Sequence, residues 1–372
     1  MKGSVNKDKK TGNYFYIVDI GIDPLTGKRK QKKKRGFTTK KEAENALTKL
    51  LSEVHTGTYV EPSKLLYSEY LESWFNTKKH SVGIQTAKVL EGYVNGRIIP
   101  SLGNIKLAKL TSLHMQNYVN SLRDEGLKRG TIEKVIKIIR NSLEHAIDLE
   151  LISKNVAAKT KLPKVDKEEL IVWNEHEVQS FLKAAQGSRY SIIFHMALVT
   201  GMRQGELLGL RWKDVDLEKG HLTISQTLSH DGKNFLLGGK TKSSLRKILL
   251  PASTITKLKK HRAVVLKEKL SQGEEYQDND LVMCTPSGTP INPANVRRSL
   301  KALIKNKKAV VPKIRFHDLR HTHATLLLAK GVNVKVISER LGHSNIKITL
   351  DTYSHVLPTM QEDAVNKIEE IL

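Results

Sequence analysis

The sequence predicts a mixed, mainly α-helical protein built from three segments. Residues 1–57 are expected to form a small β-sheet backed by one helix, residues 62–160 an all-α segment, and residues 170–372 a mostly α segment with a small antiparallel sheet. Apolar residues recur at helical spacing through most of the chain, and short aromatic or β-branched runs bounded by turn residues indicate the strands. Polar and basic stretches at 55–64 and 160–169 are interpreted as linkers. The length of 372 residues suits two or three domains.

The first segment combines a strand, a turn and a strongly cationic stretch. NYFYIVDI is rich in aromatic and β-branched residues, and DPLTGK follows as a turn with Pro24 and Gly27. The charge run KRKQKKKRGF comes next, and its position after a strand and a turn favours a second strand with a cationic face. Thr39 and Glu42 form a capping box at the start of a helix, and Gly57 suits its end.

The second segment is predicted to be helical throughout. One amphipathic stretch runs from Leu66 to Phe75, and another enters at Gly130 and continues to Ile147. Basic residues crowd around the second stretch. They have two interpretations, a solvated helix face or contact with a DNA backbone.

The third segment combines helices with a pair of strands. Asn174 with Glu177 marks one helix start, and Asn292 followed by Pro293 marks another. HLTISQT and RKILL are predicted strands on either side of the turn region GGKTKSS.

Charge indicates the class of partner. The chain has 63 Lys and Arg against 38 Asp and Glu, a formal net charge of +25. Nucleic acid is the commonest partner of so cationic a protein, because Lys and Arg release its condensed counterions. Cys284, the single cysteine, excludes an internal disulfide and is expected to be an inert thiol in a reducing compartment. With no apolar stretch of membrane-spanning length and no apolar signal core, a cytoplasmic, nucleoid-associated protein is expected.

Two motifs resemble sites for other chemistries, but each lacks a required residue. NFLLGGKT resembles a phosphate-binding Walker loop, but Asn234 stands where the first glycine is required, and strands are expected on both sides of it. HDLRH resembles the zinc-protease pattern H-E-x-x-H, but Asp318 is one methylene shorter than the glutamate that acts as general base. A zinc hydrolase would also need a third ligand, for which His343 and His355 are the candidates.

A different set of residues suggests a site for phosphate. His317 and Arg320 share a helix face at three-residue spacing, and His321 lies on that face while His323 turns away. Arg203 follows a glycine that breaks the apolar helix YSIIFHMALV. A charged residue at such a junction is either a satisfied helix-end arginine or a ligand for an anion.

Further along, Gly342 suits a helix end, which places His343 in a turn, and Tyr353 follows ten residues later. Arginines, histidines, a lysine and a tyrosine together suit metal-free phosphoryl transfer, because fixed cationic donors stabilise the charge on a phosphodiester under attack. Tyrosine, with an ordinary pKa of about 10, needs such cations to favour phenolate. Its attack keeps the phosphodiester energy in a covalent bond, so strands can be rejoined without ATP.

The third segment resembles the catalytic domain of the tyrosine recombinases, also called the phage integrase family. The matching pieces occur in the family's order over about 200–355 and are TGMRQGELLGLRW, KTKSSLRKILL, FHDLRHTHAT, LGHSNIKITLDTY and YSH. H-x-x-R or LGH alone has no value as a signature, whereas the ordered set with a following tyrosine is highly specific. The second segment resembles the family's core-binding domain, and the first resembles the arm-binding module of phage and conjugative-transposon integrases.

The resemblance implies roles for individual residues. Arg203 and Arg320 match the two catalytic arginines that clamp the scissile phosphate. His317 matches a candidate base or phosphate donor, and His343 matches the histidine that hydrogen-bonds the phosphate. Tyr353 matches the nucleophile that becomes joined to the DNA 3′-phosphate.

The same resemblance leaves the catalytic lysine open between two positions. In the family this lysine protonates the departing 5′ oxygen, and Lys240 resembles its position better than Lys242 because Lys240 directly precedes the threonine. Glu206 is expected to brace the first catalytic arginine, as a carboxylate three residues further on can. His321 and His323 match no assigned role and are interpreted as packing or supporting groups.

The function that the resemblance implies is DNA breaking and rejoining. A site-specific recombinase of this kind integrates and excises a phage or integrative element at double-stranded DNA attachment sites, as a homotetramer without metal or nucleotide cofactor. A directionality factor and a DNA-bending host protein could assist it. The amphipathic tail PTMQEDAVNKIEEIL is expected to dock on a neighbouring protomer. The alternatives are a catalytically inactive DNA-binding regulator of the same fold, the zinc hydrolase, and a topoisomerase of the same chemistry.

Overall fold

The computed structural model shows a mixed, mainly α-helical protein with small antiparallel sheets, as the sequence predicts. It describes residues 3–22, 27, 29–56, 59, 64–164, 170–238, 245–305, 309–353, 365 and 368–372. The chain divides into two compact units, Met1–Lys167 and Glu168–Leu372, and each is described by itself. No helix within the described ranges combines the length and the apolar character needed to cross a lipid bilayer.

The first unit begins with a three-stranded antiparallel sheet backed by a helix. Its elements are β1 (Gly3–Lys7), β2 (Tyr14–Ile22), β3 (Arg29–Phe37) and α1 (Lys40–His55), with strand order β1-β2-β3. The predicted capping box starts α1. The Glu42 amide donates to the Thr39 side chain at 3.2 Å, and the Thr39 amide donates to the Glu42 carboxylate at 3.4 Å.

Alternation along β2 separates an apolar face of the sheet from a basic one. Tyr16 and Val18 pack on Leu47 of α1. The neighbouring Phe15 instead meets a lysine of β3, with Lys33 Nζ 4.1 Å from its ring centre. The cationic second strand expected from KRKQKKKRGF is therefore present as β3.

A helical segment with its own hydrophobic cluster follows in the same unit. Its helices are α2 (Tyr67–Lys78), α3 (Ile84–Tyr93), α4 (Ile99–Leu102), α5 (Ser112–Asp124) and α6 (Arg129–Asp148), with a π-helical turn at Val94–Ile98. The predicted apolar face of α6 is buried, Ile132 and Ile139 completely. Arg140, one of its basic residues, donates to the carbonyls of Ala157 and Thr160, so this arginine supports the fold.

The second unit is mostly helical. Its helices are α7 (Glu175–Ala184), α8 (Ser191–Thr200), α9 (Gln204–Leu208), α10 (Ala252–Gln272), α11 (Pro293–Lys305), α12 (Asp318–Ala329), α13 (Val334–Leu341) and α14 (Ile346–Tyr353). The expected cap of α7 is present, because Asn174 accepts from the Glu177 amide at 2.9 Å, and α11 begins at the expected Pro293. Cys284 is buried, and burial raises the pKa of its thiol, in keeping with an inert cysteine.

The strand prediction for HLTISQT was wrong in one respect, because the segment divides between two sheets. The sheets are β4 (Val215–Asp216), β5 (His221–Thr223) and β8 (Lys247–Leu249) in the order β4-β5-β8, and β6 (Gln226–Leu228) paired with β7 (Phe235–Leu237). Ser225 lies at the division. Its hydroxyl donates to Asp214 at 2.7 Å and accepts from Arg211 at 2.8 Å. The Ile224 amide donates to the Arg246 carbonyl and the Gly238 amide donates to the Ser225 carbonyl, so the pairing partner changes at this residue. As expected, strands flank the GGKTKSS region on both sides.

Candidate active site

Arg203 is placed by a glycine that ends α8. Gly201 has a φ of +65°, and a Cβ there would lie 2.6 Å from His323 Cδ2 and 2.7 Å from Leu341 Cδ2, so the position requires glycine. Arg203 then occupies the N-cap position of α9. Its Nη1 donates to Glu206 Oε1 at 2.8 Å and its backbone amide donates to Oε2 at 2.9 Å. The prediction that Glu206 braces Arg203 is confirmed, and 41% of the Arg203 side chain stays exposed.

Arg246, which the sequence analysis did not single out, also binds Glu206. Arg246 directly precedes β8, and its Nη2 and Nη1 donate to the two oxygens of Glu206 at 2.8 and 3.2 Å. Its Nε donates to the Arg340 carbonyl at 2.8 Å. Burial alone would raise the pKa of Glu206, but hydrogen bonds and charge from Arg246, with the Arg203 amide, keep it below its ordinary value. Nothing local in KTKSSLRKILL distinguishes Arg246, since the partner that it needs lies 40 residues earlier.

Arg320 is buried in the first turn of α12, with 3% of the residue exposed. Its Nη1 donates to the Gly201 carbonyl and its Nη2 to the Leu341 carbonyl, both at 2.8 Å. Burial, followed by the positive charge of Arg203, lowers the pKa of Arg320 to about 9, so the guanidinium is still charged near neutral pH. Arg320 therefore ties the loop before Arg203 to the end of α13.

The turn after α13 carries His343, as predicted. Gly342 ends the helix with a φ of +69°, and a Cβ there would lie 2.7 Å from Arg246 Nη1. Arg203 Nη2 reaches the Gly342 carbonyl at 3.4 Å. His343 Nδ1 shares a hydrogen bond of 2.8 Å with the Thr349 hydroxyl, which fixes the ring against α14. The residues Leu341 to His343 thus form the point at which the two predicted arginines converge.

Positive charge predominates in this cluster, because three arginines surround the one buried carboxylate of Glu206. Burial, then the charges of Arg320 and Arg203, lowers the pKa of His343 to about 4. Burial, then the charge of Arg320, also lowers the pKa of His317. Each shift means that the cluster disfavours a further positive charge. Such an environment is suited to an anion that pairs with the arginines.

The surroundings of HDLRH do not match a zinc site. Asp318, which would replace the metalloprotease glutamate, is buried and accepts hydrogen bonds from the Arg315 side chain at 3.0 and 3.1 Å. Within the described ranges no three His, Cys, Asp or Glu side chains are grouped to hold a metal ion. His355, one of the spare ligands considered for zinc, lies outside the described residues.

Tyr353 is the last residue of α14 and is 1% exposed. Its ring packs with Ala324, Leu328 and other apolar side chains of α12 and α13. Its hydroxyl lies 2.8 Å from His321 Nδ1. Burial raises the pKa of Tyr353 to about 12, and the charge of Arg320 opposes that rise. Tyr353 and Arg320 are therefore close enough to interact electrostatically within one chain.

The remaining candidate residues are two histidines of α12 and two lysines. His323 packs beneath Gly201 and shares hydrogen bonds with the Leu198 carbonyl at 2.8 Å and with Arg340 Nε at 3.3 Å, which confirms a supporting role. His321, interpreted from the sequence as a packing or supporting group, hydrogen-bonds the candidate nucleophile. The two candidate lysines, Lys240 and Lys242, lie outside the described residues.

Family comparisons give one match within each of the three predicted segments. The model described as the phage integrase family matches residues 172–360. An arm DNA-binding domain matches residues 4–54, and a phage integrase N-terminal SAM-like domain matches residues 66–123.

Individual relatives and solved structures agree with the family comparisons. The chain is 32% identical, over 97% of each sequence, to a tyrosine recombinase XerC-like protein of Caldanaerobacter subterraneus subsp. tengcongensis. Its fold is similar to that of the Tn1549 transposon integrase in complex with a circular intermediate DNA, with a TM-score of 0.71, 20% identity and coverage of 83% of this chain and 100% of the other. A lambda integrase tetramer bound to a Holliday junction gives a TM-score of 0.59, 19% identity and 94% coverage of both chains. The chain therefore belongs to the phage integrase family and is a tyrosine recombinase, a DNA breaking and rejoining enzyme.

Proposed function

We propose that this recombinase integrates and excises a phage or integrative element by site-specific strand exchange, with Tyr353 as the nucleophile. The observation that carries the assignment of the site is the convergence of Arg203 and Arg320 on consecutive carbonyls, those of Gly342 and Leu341, directly before His343. Two guanidinium groups held at one turn can pair with the non-bridging oxygens of a single phosphodiester.

The chemistry follows from the charge distribution. Arg203 and Arg320 would stabilise the negative charge that gathers on the phosphate during attack, and His343 and His317 would add hydrogen-bond donors. The Tyr353 oxygen bonds to phosphorus while the bond to the 5′ oxygen breaks, which leaves a 3′-phosphotyrosine and a 5′ hydroxyl. Lys240, or Lys242, would protonate the departing oxygen. The 5′ hydroxyl of a partner strand then reverses the reaction, so no nucleotide is consumed.

The three segments suggest a division of labour on double-stranded DNA. Residues 1–57 would bind arm-type sites through the basic strand β3, RKQKKKRGF, in which six of the nine residues are Lys or Arg. Residues 62–160 would bind the core site, and residues 170–372 would carry out the chemistry.

We also propose that the chain assembles as a homotetramer and works with accessory proteins. The lambda integrase structure with a similar fold holds a tetramer on a Holliday junction, which supports a homotetramer of this chain on two duplexes. We also propose that the tail PTMQEDAVNKIEEIL docks on a neighbouring protomer. Most of its residues lie outside the described ranges. A directionality factor and a DNA-bending host protein are further proposed partners, with the nucleoid in the cytoplasm as the place of action.

A nicked suicide substrate tests the proposal. Cleavage next to a nick releases a short strand, so the covalent protein–DNA product accumulates. We expect the wild-type chain to form this product in the presence of a strong chelator, and Tyr353→Phe to bind the same DNA without forming it. DNA binding by the wild type with no covalent product would instead indicate the inactive regulator. Product that disappears with chelator would indicate metal-dependent chemistry.

A further inference from the structure

The Tyr353 hydroxyl has a specific neighbour that the family resemblance leaves without a role. His321 and Tyr353 lie on different helices, α12 and α14, yet His321 Nδ1 is 2.8 Å from the phenol oxygen and the two rings are 5.7 Å apart. His317, which the resemblance implies is a candidate base or phosphate donor, packs its ring edge-on against His321, with centroids 5.1 Å apart. Among the described residues, His321 is the hydrogen-bond partner of the Tyr353 phenol oxygen.

We propose that His321 is a catalytic residue of this recombinase, which accepts the Tyr353 hydroxyl proton as the phenol oxygen attacks DNA. Geometry gives the first reason. A side chain that is 1% exposed is shielded from bulk water, so its proton passes first to the group that it touches. At 2.8 Å the phenol can donate directly to an imidazole whose other nitrogen, Nε2, carries the ring proton.

The resting protonation states leave the phenol protonated and the imidazole free to accept a proton. Burial, then the charge of His317, lowers the pKa of His321 to about 4, so the ring is neutral near pH 7 and has a lone pair to offer. Burial raises the pKa of Tyr353 to about 12. The proton therefore stays on the phenol at rest and moves only as the oxygen gains a bond to phosphorus. This arrangement protects the nucleophile from ionising before DNA is bound.

The step balances in atoms and charge. The Tyr353 oxygen forms a bond to phosphorus and gives its proton to His321 Nδ1, while the bond between phosphorus and the 5′ oxygen breaks. The 5′ oxygen takes a different proton from the separate acid proposed above, Lys240 or Lys242. In the rejoining step the incoming 5′ oxygen bonds to phosphorus and gives its proton to that lysine, while the phosphotyrosine bond breaks and His321 returns its proton to Tyr353.

The first test compares His321→Phe with His321→Asn in the full chain on the nicked suicide substrate, and it rests on the proposed function. Phenylalanine fills the space without an acceptor, whereas asparagine keeps a hydrogen-bond acceptor near the former Nδ1 that cannot take up a proton at neutral pH. We expect both variants to lose about 10²–10⁴-fold in the rate of covalent joining at unchanged DNA affinity. Joining by either variant at the wild-type rate would overturn the inference.

A second test separates proton transfer from packing. A fluorinated tyrosine at position 353 has a more acidic phenol and needs a base less. We expect this replacement to speed joining about tenfold or more in the His321→Phe background relative to its effect in the wild type. Equal effects in the two backgrounds would mean that His321 only packs.

Should His321→Phe fail to fold, His321→Asn replaces it, because asparagine keeps the hydrogen-bond acceptor and removes only the group that takes up the proton. A loss of joining by His321→Asn supports the inference, and wild-type joining contradicts it. The proposed function fails separately, if the wild type itself forms no covalent product.

Discussion

Arg246 and Glu206 form a two-point ion pair inside the second unit, with Nη2–Oε2 at 2.8 Å and Nη1–Oε1 at 3.2 Å. Both side chains are almost fully buried, 7% and 4% exposed. Glu206 also holds Arg203, and Arg246 also donates to the Arg340 carbonyl near the end of α13. The pair therefore connects the first arginine of the proposed phosphate site with the helix that leads to His343.

Breaking this pair should lower both stability and activity. Arg246→Met leaves the Glu206 charge buried with a weaker partner, which costs about 3–5 kcal/mol for comparable buried pairs. We expect urea denaturation to show a loss of that order. The double variant Arg246→Met with Glu206→Gln removes the stranded charge, so it should regain part of the stability while covalent joining stays impaired. A single variant that unfolds at the wild-type urea concentration would contradict the role of Arg246.

The close approach of Gly342 to Arg246 gives a prediction with a matched control at Gly331. Gly342→Ala would place a Cβ 2.7 Å from Arg246 Nη1 at a φ of +69°. Gly331→Ala meets a similar φ of +75° with no atom within 4 Å, so it measures the backbone strain alone. We expect Gly331→Ala to cost about 1 kcal/mol in unfolding free energy, with normal joining, and Gly342→Ala to cost more and to slow joining. Equal behaviour of the two variants would show that the packing over Arg246 is unimportant.

Arg203→Lys tests the two-oxygen contact proposed for the phosphate. An ammonium group keeps the charge but cannot pair two oxygens in the planar geometry of a guanidinium. We expect covalent joining to fall by about 10²–10³-fold, with a smaller change in DNA affinity in a binding titration. Arg262→Lys, at an exposed position over Trp212, is the matched control and should leave joining unchanged. Near-normal joining by Arg203→Lys would remove Arg203 from the site.

His323 should make stability depend on pH. Burial, then the charge of Arg340, lowers its pKa to about 4, whereas an unfolded histidine titrates near 6.5. The unfolded state therefore binds a proton that the folded state does not. The stabilisation is complete above about pH 6.5 and is lost as the pH falls towards 4. We expect the decrease in unfolding free energy between about pH 7 and about pH 5 to be smaller in His323→Asn by about 2 kcal/mol. An identical decrease in both proteins would contradict the lowered pKa.

Local signals in the sequence predicted the parts of the fold that depend on near neighbours. The Thr39–Glu42 capping box starts α1, and Gly342 turns the chain so that His343 follows a helix end. Such features depend on residues three or four positions apart, and a single sequence displays them. The bracing of Arg203 by Glu206 was predictable for the same reason.

The features that were missed depend on contacts between distant parts of the chain. Arg246 gains its role from Glu206, 40 residues earlier, and His321 gains its role from Tyr353, 32 residues later. The division of HLTISQT at Ser225 likewise depends on Arg211 and its neighbour Asp214. No spacing rule reveals these pairings, because tertiary packing alone brings the partners together.

The most direct test of the central claim is to identify the residue and the strand end in the trapped covalent product. The wild-type chain is reacted with a nicked suicide substrate, digested with protease, and the DNA-linked peptide is sequenced by mass spectrometry. We expect the DNA 3′-phosphate on Tyr353, in the peptide that follows LGHSNIKITLDT. Linkage to another residue, or to a 5′-phosphate, would contradict the proposed chemistry.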